Sequence, residues 1–176
     1  MALQSARAAG LEVPQDTLDR VSAYLDTASS EGGSLYCYQP GMLPSETMTA
    51  EGLLCRQLLG WPRDDARMLR GAEYLLQPDN LPTWENPNVY YWYYATQMMH
   101  HLEGDYWETW NGHLRDMLIK QQTTSGPQRG SWHPTRPNID KWGSQAGRLY
   151  MTCLSIYILE VYYRHLPIYS RGQFAR

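Results

Sequence analysis

The chain of 176 residues lacks several features that mark common functional classes. It has 15 basic and 18 acidic residues, a net charge of −3, and no block of Lys and Arg. Because nucleic-acid-binding proteins usually carry such a block, the composition gives little support for a nucleic-acid partner. The sequence shows no signal peptide and no stretch of about 18 apolar residues. It therefore predicts no membrane span and leaves the compartment unknown.

Cysteine is also scarce, and the metal-binding patterns are absent. The three cysteines, Cys37, Cys55 and Cys153, are far apart. They form no CxxC pair, and their odd number argues against a disulfide framework. We expect buried free thiols. His100 and His101 are adjacent, so on a helix they point about 100° apart and cannot act as an i, i+4 ligand pair. The sequence predicts no metal site and no cofactor.

The aromatic composition is unusual, with only 1 Phe beside 14 Tyr and 7 Trp. Tyr and Trp bury a large ring but keep a polar tip that needs a partner. Their excess predicts packed layers with internal hydrogen bonds, or the wall of a cavity. The densest stretch is Val89–Gly104, VYYWYYATQMMHHLEG. Its first residues alone would favour a strand, but the helix-forming continuation predicts one helix that ends at a glycine.

The rest of the chain is predicted to form helices between loops rich in Gly and Pro. After a short helix at Leu3–Ala9, six longer ones are expected at Asp16–Ala28, from Thr47 or Thr49 to Leu59, at Asp65–Gln77, at Val89–Gly104, from Asp105 or Tyr106 to Gln122, and at Arg148–Leu166. The loop Ser125–Gly147 offers His133 and Asp140–Trp142 for partner contacts or a lid. The tail Ser170–Arg176 is expected to be flexible.

Amphipathic and apolar helices alternate along this series. The first, third and fifth of the six are amphipathic, the fourth and sixth are apolar all round, and the second is partly so. A helix that is apolar all round is buried on every side, so the pattern predicts exposed outer helices and covered inner helices. The outer helices recur at roughly 45 to 48 residues, as stacked helical hairpins do. We predict a single all-α domain over residues 1–176, with about three hairpins.

Two segments at the ends of outer helices resemble the QW repeat of squalene and oxidosqualene cyclases. One is RGAEYLLQ, Arg70–Gln77, followed by Trp84; the other is Gln121-Gln122 followed by Gly130-Ser131-Trp132. In that family the Gln near the end of an outer helix packs on the Trp before the next inner helix. The resemblance therefore implies joints between hairpins, formed here by Gln77, Trp84, Gln122, Gly130 and Trp132.

The wider chain, from about Leu3 to Tyr169, is similar to the α/α toroids of terpenoid cyclases and protein prenyltransferase β subunits. The likeness is carried by MTAEGLLCRQLLGW, YYWYYATQMMHHLEG and GRLYMTCLSIYILEVYYRHLP. It is greatest to bacterial prenyltransferase/squalene-oxidase-repeat proteins. Three hairpins are too few to close such a ring, so the resemblance implies a partial toroid, the C-terminal half of a larger one. Its exposed inner-helix edges would bind the remainder of the parent toroid or a second copy.

The catalytic motifs of these families are not found in the sequence. It contains no Asp-x-Asp-Asp acid and no Asp-rich motif for Mg²⁺-diphosphate, and Asp64-Asp65 is better explained as a helix N-cap pair. The Asp, Cys and His that bind Zn²⁺ in prenyltransferases cannot be assigned from spacing. No catalytic residue is predicted.

The aromatic side chains remain as functional candidates, because ring faces that line a toroid cavity stabilise carbocations. The candidates for lining a cavity are Tyr90, Tyr91, Trp92, Tyr93, Tyr94 and Tyr150, with core packing as their competing use. The resemblance implies an apolar, isoprenoid-like ligand. The alternative is a non-catalytic helical-repeat domain that binds protein or glycan partners.

Overall fold

The computed structural model describes residues 1–164, and these residues are mostly helical, which confirms the all-α class. The helices are α1 (Ala2–Ala8), α2 (Gln15–Thr27), α3 (Glu46–Leu58), α4 (Ala66–Leu75), α5 (Val89–Leu102), α6 (Gly104–Gln121), α7 (Gly143–Leu159) and α8 (Val161–Arg164). The predicted end of the last helix at Leu166 and the predicted flexible tail Ser170–Arg176 lie outside the described residues.

A small hairpin follows α2, where the sequence predicted only loop. Strand β1 (Ser29–Ser30) pairs antiparallel with β2 (Leu35–Tyr36), and Ser29 lies opposite Tyr36. A 3₁₀ turn at Glu31–Gly33 joins the strands, and Gly32 there has a positive φ of 66°. Strands of two residues have no readable hydrophobic alternation, and therefore the pattern could not reveal them.

Three helices begin at side-chain caps. Ser45, rather than the predicted Thr47 or Thr49, caps α3 by accepting a hydrogen bond from Met48 N at 3.2 Å. Asp65 accepts one from Arg67 N at 2.9 Å at the start of α4. Asn88 accepts one from Tyr91 N at 3.2 Å and so begins α5. Each cap satisfies a backbone donor that has no partner within its helix.

The chain divides into two compact units, Met1–Leu75 and Leu76–Arg176. In unit 1, α3 packs on α4 and on β2. The contact is close at Gly52, where an added Cβ would lie 2.3 Å from Cγ of Tyr36. At Gly71 it would lie 2.4 Å from a methyl group of Leu53. Glycine at these two positions therefore allows the elements of unit 1 to approach each other.

Arg56 of α3 is the largest buried polar side chain in unit 1, with 2% of its surface exposed. Its Nε donates to the Tyr36 hydroxyl at 3.0 Å, and one terminal nitrogen donates to Ser22 Oγ at 2.9 Å. The other terminal nitrogen forms an ion pair with Asp26. The guanidinium also lies 4.7 Å from the ring centroid of Trp61. Arg56 thereby holds α2, β2 and α3 together.

In unit 2, α5 is the central helix, and α6 and α7 pack against it. Most of its residues are buried, but Tyr90, Tyr93 and Tyr94 are half-exposed, so the predicted burial on every side does not hold for that side of the helix. Trp110 of α6 donates from Nε1 to Thr96 Oγ1 at 2.9 Å, which satisfies a buried indole. The chain turns from α5 into α6 at Glu103 and Gly104, which have positive φ angles of 58° and 55°.

Helix α7 differs from its prediction in start, shape and burial. It begins at Gly143 rather than Arg148, and it is broken at Gly147, which has φ 73° and ψ −170°. Past this break only Met151, Ser155 and Ile158 are buried, on the side that faces α5. The prediction that this helix is covered on every side is wrong within the described residues, because its neighbours there cover one stripe only.

Candidate functional site

The first turn of α5 is held in place by a loop residue distant in sequence. Asp140 is 2% exposed, and its carboxylate accepts hydrogen bonds from Val89 N at 2.8 Å and from Trp142 N at 2.9 Å. Burial raises the pKa of this carboxyl, and the backbone N–H donors oppose that shift. Asp140 therefore fixes the starts of α5 and α7 relative to each other. It is a buried structural residue rather than part of a lid.

The other loop candidates have different surroundings. Lys141 and Trp142 are exposed, and Lys141 N donates to Pro87 O at 3.0 Å. His133 Nδ1 accepts a hydrogen bond from Thr135 N at 3.1 Å. Desolvation and two neighbouring arginines lower the pKa of His133. This part of the loop is thus held by a hydrogen bond within the loop and by one to Pro87, just before α5.

Two of the six aromatic candidates belong to the core. Tyr91 is 3% exposed, and its hydroxyl donates to Asn80 O at 3.0 Å. Trp92 is 1% exposed and packs against Trp84 with ring centroids 5.4 Å apart. The Tyr91 ring also meets the Trp110 ring edge to face at 5.7 Å. Their rings fill the space between elements and are not available to line an open surface.

Three other candidates form a half-exposed aromatic surface on α5. The rings of Tyr90 and Tyr94 lie 4.9 Å apart at 64°, and those of Tyr93 and Tyr94 lie 5.0 Å apart at 73°. Tyr157 of α7 extends this surface, with its ring centroid 6.1 Å from that of Tyr93. We call these four side chains the tyrosine wall. The spacing 90, 93, 94 places the three α5 rings on one side of the helix.

Tyr150 is the sixth candidate, and it is half-buried on α7. Its hydroxyl is buried and has no hydrogen-bond partner among the described residues. Desolvation raises its pKa, and the charge of the nearby Asp140 acts in the same direction. The phenol therefore stays protonated and neutral next to the tyrosine wall.

At the second predicted joint, Gln122 and Trp132 make separate hydrogen bonds, and none joins the two side chains. Gln122 Nε2 donates to Gly130 O at 3.1 Å, across the turn that follows α6. Trp132 is 1% exposed, and its Nε1 donates to Leu118 O in the last turn of α6 at 2.8 Å. Its backbone N donates to Thr152 Oγ1 of α7 at 3.3 Å. Trp132 thus ties the end of α6 to α7 and satisfies a helix carbonyl.

The joint predicted at Gln77 and Trp84 is arranged differently. Gln77 is exposed, and its backbone carbonyl accepts hydrogen bonds from Asn80 N and Leu81 N. Trp84 is 5% exposed and packs on Trp92, while its Nε1 has no hydrogen-bond partner among residues 1–164. No side-chain hydrogen bond therefore joins Gln77 to Trp84.

A groove of about 500 Å³ lies between the loop at residues 82–85 and α6. The sequence did not predict it. His113 Nε2 donates a hydrogen bond to Pro82 O at 2.7 Å, which joins α6 to this loop. The side chains of Glu85, Asp116 and Lys120 line it as well. Asp116 and Lys120 are spaced on α6 as on an ordinary solvated helix face, which explains why the pattern gave no signal.

The described residues contain no group of three or more His, Cys, Asp or Glu side chains that could hold a metal ion. His100 and His101 are both buried, with ring centroids 6.0 Å apart, and His100 meets Trp107 edge to face at 5.0 Å. Within residues 1–164, no helix combines the length and the apolar character needed to cross a membrane.

Comparisons of this chain with protein-family models, with curated proteins and with solved structures found no match.

Proposed function

We propose that the chain is part of a squalene-cyclase/prenyltransferase-like toroid, and that its tyrosine wall binds an apolar, isoprenoid-like ligand. The observation that carries the proposal is the set of half-exposed tyrosine rings on α5, which pack edge to face with one another instead of entering the core. In a toroid the inner helices line the central cavity, and α5 takes the place of an inner helix in unit 2.

The chemistry of the wall suits such a ligand. An isoprenoid chain offers methyl and alkene carbons but few hydrogen-bonding groups, so it is recognised by apolar burial of about 25 cal/mol per Å². Tyrosine rings supply apolar faces, and those faces also attract a cationic carbon. Edge-to-face contacts between Tyr90, Tyr93 and Tyr94 restrict the rings before binding, which lowers the entropic cost of association.

The joint after α6 supports the toroid part of the proposal. The Gln122 amide and the Trp132 indole both satisfy backbone carbonyls where an outer helix gives way to the next inner one. The QW repeat that this segment resembles also uses a Gln and a Trp to join successive hairpins, by packing the Gln on the Trp. The open arrangement at Gln77 departs from the repeat and gives the proposal no support.

A thermal-shift panel tests the ligand. We expect farnesyl diphosphate and squalene to raise the melting temperature, because a ligand that binds only the folded chain stabilises it by mass action. Inorganic diphosphate is the control for binding through phosphate alone and should have no effect. If neither isoprenoid shifts the melting temperature, the ligand part of the proposal is wrong.

A second candidate function is a helical-repeat interaction domain. It is favoured by the apolar side of α7 that the described residues leave open, on which Leu149 is 77% exposed. Glycans are the other partner class of this alternative, so simple glycans belong in the same panel. A shift with a glycan, together with none from the isoprenoids, would favour this second function over the first.

A further inference from the structure

The open side of α7 is apolar and uncharged. Met151, Ser155 and Ile158 form the buried stripe, and the opposite side of the helix carries Leu149, Cys153, Ile156 and Tyr157, which we call the α7 face. Leu149 is 77% and Tyr157 38% exposed, and the other two are half-buried. The sequence has no charged residue from Leu149 to Leu159. A solvated helix side would normally carry charge, so this side has the composition of a buried one.

We propose that the α7 face pairs with the α7 face of a second copy of this chain, with the two helices antiparallel. The proposal goes beyond the ligand function and does not rest on it. In such a pair the two-fold axis passes near Cys153, and each copy contributes the same surface.

The spacing of the exposed side chains fits this symmetry. Leu149 precedes Cys153 by about one helical turn, and Tyr157 follows it by the same distance. Antiparallel pairing about Cys153 therefore places Leu149 of one copy against Tyr157 of the other, twice. An aliphatic side chain against an aromatic ring is an apolar contact that can pack as ridges into grooves between facing helices.

The charges at the two ends favour the antiparallel direction. Arg148 lies just before the uncharged run and Glu160 just after it, and Glu160 is exposed. Antiparallel helices bring the Arg148 end of one copy beside the Glu160 end of the other. A parallel pair would place like charges together, which is unfavourable. Glu160 would also approach the first turn of the opposing helix, where the helix dipole favours negative charge.

Sedimentation equilibrium of the full chain tests the pairing. Because one helix face is a small interface, we expect a dimer with a dissociation constant on the order of 10 µM. Leu149→Glu places a charge against Tyr157 of the other copy at two symmetry-related points of the contact, and should weaken the dimer by at least about tenfold. The matched control is Leu11→Glu, since Leu11 is 64% exposed in unit 1 and should leave the dimer unchanged.

A short bis-maleimide cross-linker tests whether the two-fold axis of the dimer passes near Cys153. In a chain that carries Cys55→Ser, the half-buried Cys153 should give a covalent dimer, and adding Cys153→Ser should abolish it. A monomer at about ten times the expected dissociation constant, a dimer indifferent to Leu149→Glu, or a covalent dimer that persists without Cys153 would each overturn the proposal. Tyr157 belongs to both the tyrosine wall and the α7 face, whereas Tyr94 belongs to the wall alone and Leu149 to the face alone. Tyr94→Ala should therefore weaken ligand binding and leave pairing unchanged, and Leu149→Glu should do the reverse.

Discussion

At the scale of single residues, a buried polar side chain holds the elements together within each unit. Arg56 joins three elements of unit 1, and Asp140 joins the starts of two helices in unit 2. Neither role could be predicted from the sequence, because the partners lie far away along the chain. Arg56 looks like an ordinary surface cation on a mixed helix that also carries Glu46 and Glu51, and Asp140 looks like an exposed loop acid.

Replacement of Arg56 by alanine should lower the free energy of unfolding by about 3 kcal/mol. The change leaves the buried Tyr36 hydroxyl without its donor and opens a cavity beside Trp61. Urea unfolding followed by circular dichroism measures the loss. Arg20→Ala is the control: that side chain is exposed, and its loss should cost less than about 0.5 kcal/mol. Equal effects from both variants would contradict the role of Arg56.

Asp65 gives a pH-dependent prediction. Hydrogen bonds from Arg67 lower its pKa from 3.8 to about 2. Since the folded pKa is below the unfolded one, its contribution is complete above the unfolded pKa of 3.8 and is lost as pH falls toward 2. Asp65→Asn should therefore flatten the fall in stability below about pH 4. Unfolding curves measured across this range, with exposed Asp64→Asn as the control, check it. Identical acid dependence in wild type and Asp65→Asn would contradict the assignment.

Among the aromatic residues, the sequence predicted the dense segment but not the use of each ring. Tyr91 and Trp92 are neighbours of Tyr90 and Tyr93, yet the first two are buried and the other two are half-exposed. Helix periodicity limits how many rings can share one side. Which side is open depends on where α6 and α7 pack, and that information is not local.

At the scale of the elements, α5 was predicted best and α7 worst. The Val89 start of α5 follows from an Asn cap and a long run without Gly or Pro. For α7, composition suggested a helix covered on all sides, but composition does not specify how many neighbours a helix has. The sequence placed Gly147 at the end of a loop and began the helix at Arg148; it missed the helical turn that starts at Gly143, because one turn is too short to show a hydrophobic period.

Two glycines within helices make a matched pair for a packing prediction. Gly52→Ala should destabilise unit 1 by about 1–3 kcal/mol, because the new methyl group would meet the Tyr36 ring at 2.3 Å. Gly112→Ala in α6 should instead stabilise by up to about 1 kcal/mol, because nothing lies within 4 Å of the added carbon. Thermal unfolding of both variants measures the difference. Changes of the same sign would contradict the close contact at Gly52.

At the scale of the whole molecule, the alternation of amphipathic and apolar helices was enough to predict an all-α chain. It did not predict the division into two compact units, Met1–Leu75 and Leu76–Arg176, because the boundary lies within the predicted helix Asp65–Gln77 and not in a linker. The toroid arrangement stays a prediction drawn from resemblance. The tyrosine wall and the α7 face are both exposed apolar surfaces of unit 2, and such surfaces are typical of binding sites.

The most direct test of the proposed function is an equilibrium titration of the chain with farnesyl diphosphate, followed by intrinsic fluorescence. We predict saturable binding that Tyr94→Ala weakens by at least about tenfold, because Tyr94 contacts both other α5 rings of the wall. Tyr24→Ala, at a tyrosine of α2 that is 54% exposed, should leave the affinity unchanged. No saturable binding, or binding that Tyr94→Ala leaves at full strength, would contradict the claim that the tyrosine wall holds an isoprenoid-like ligand.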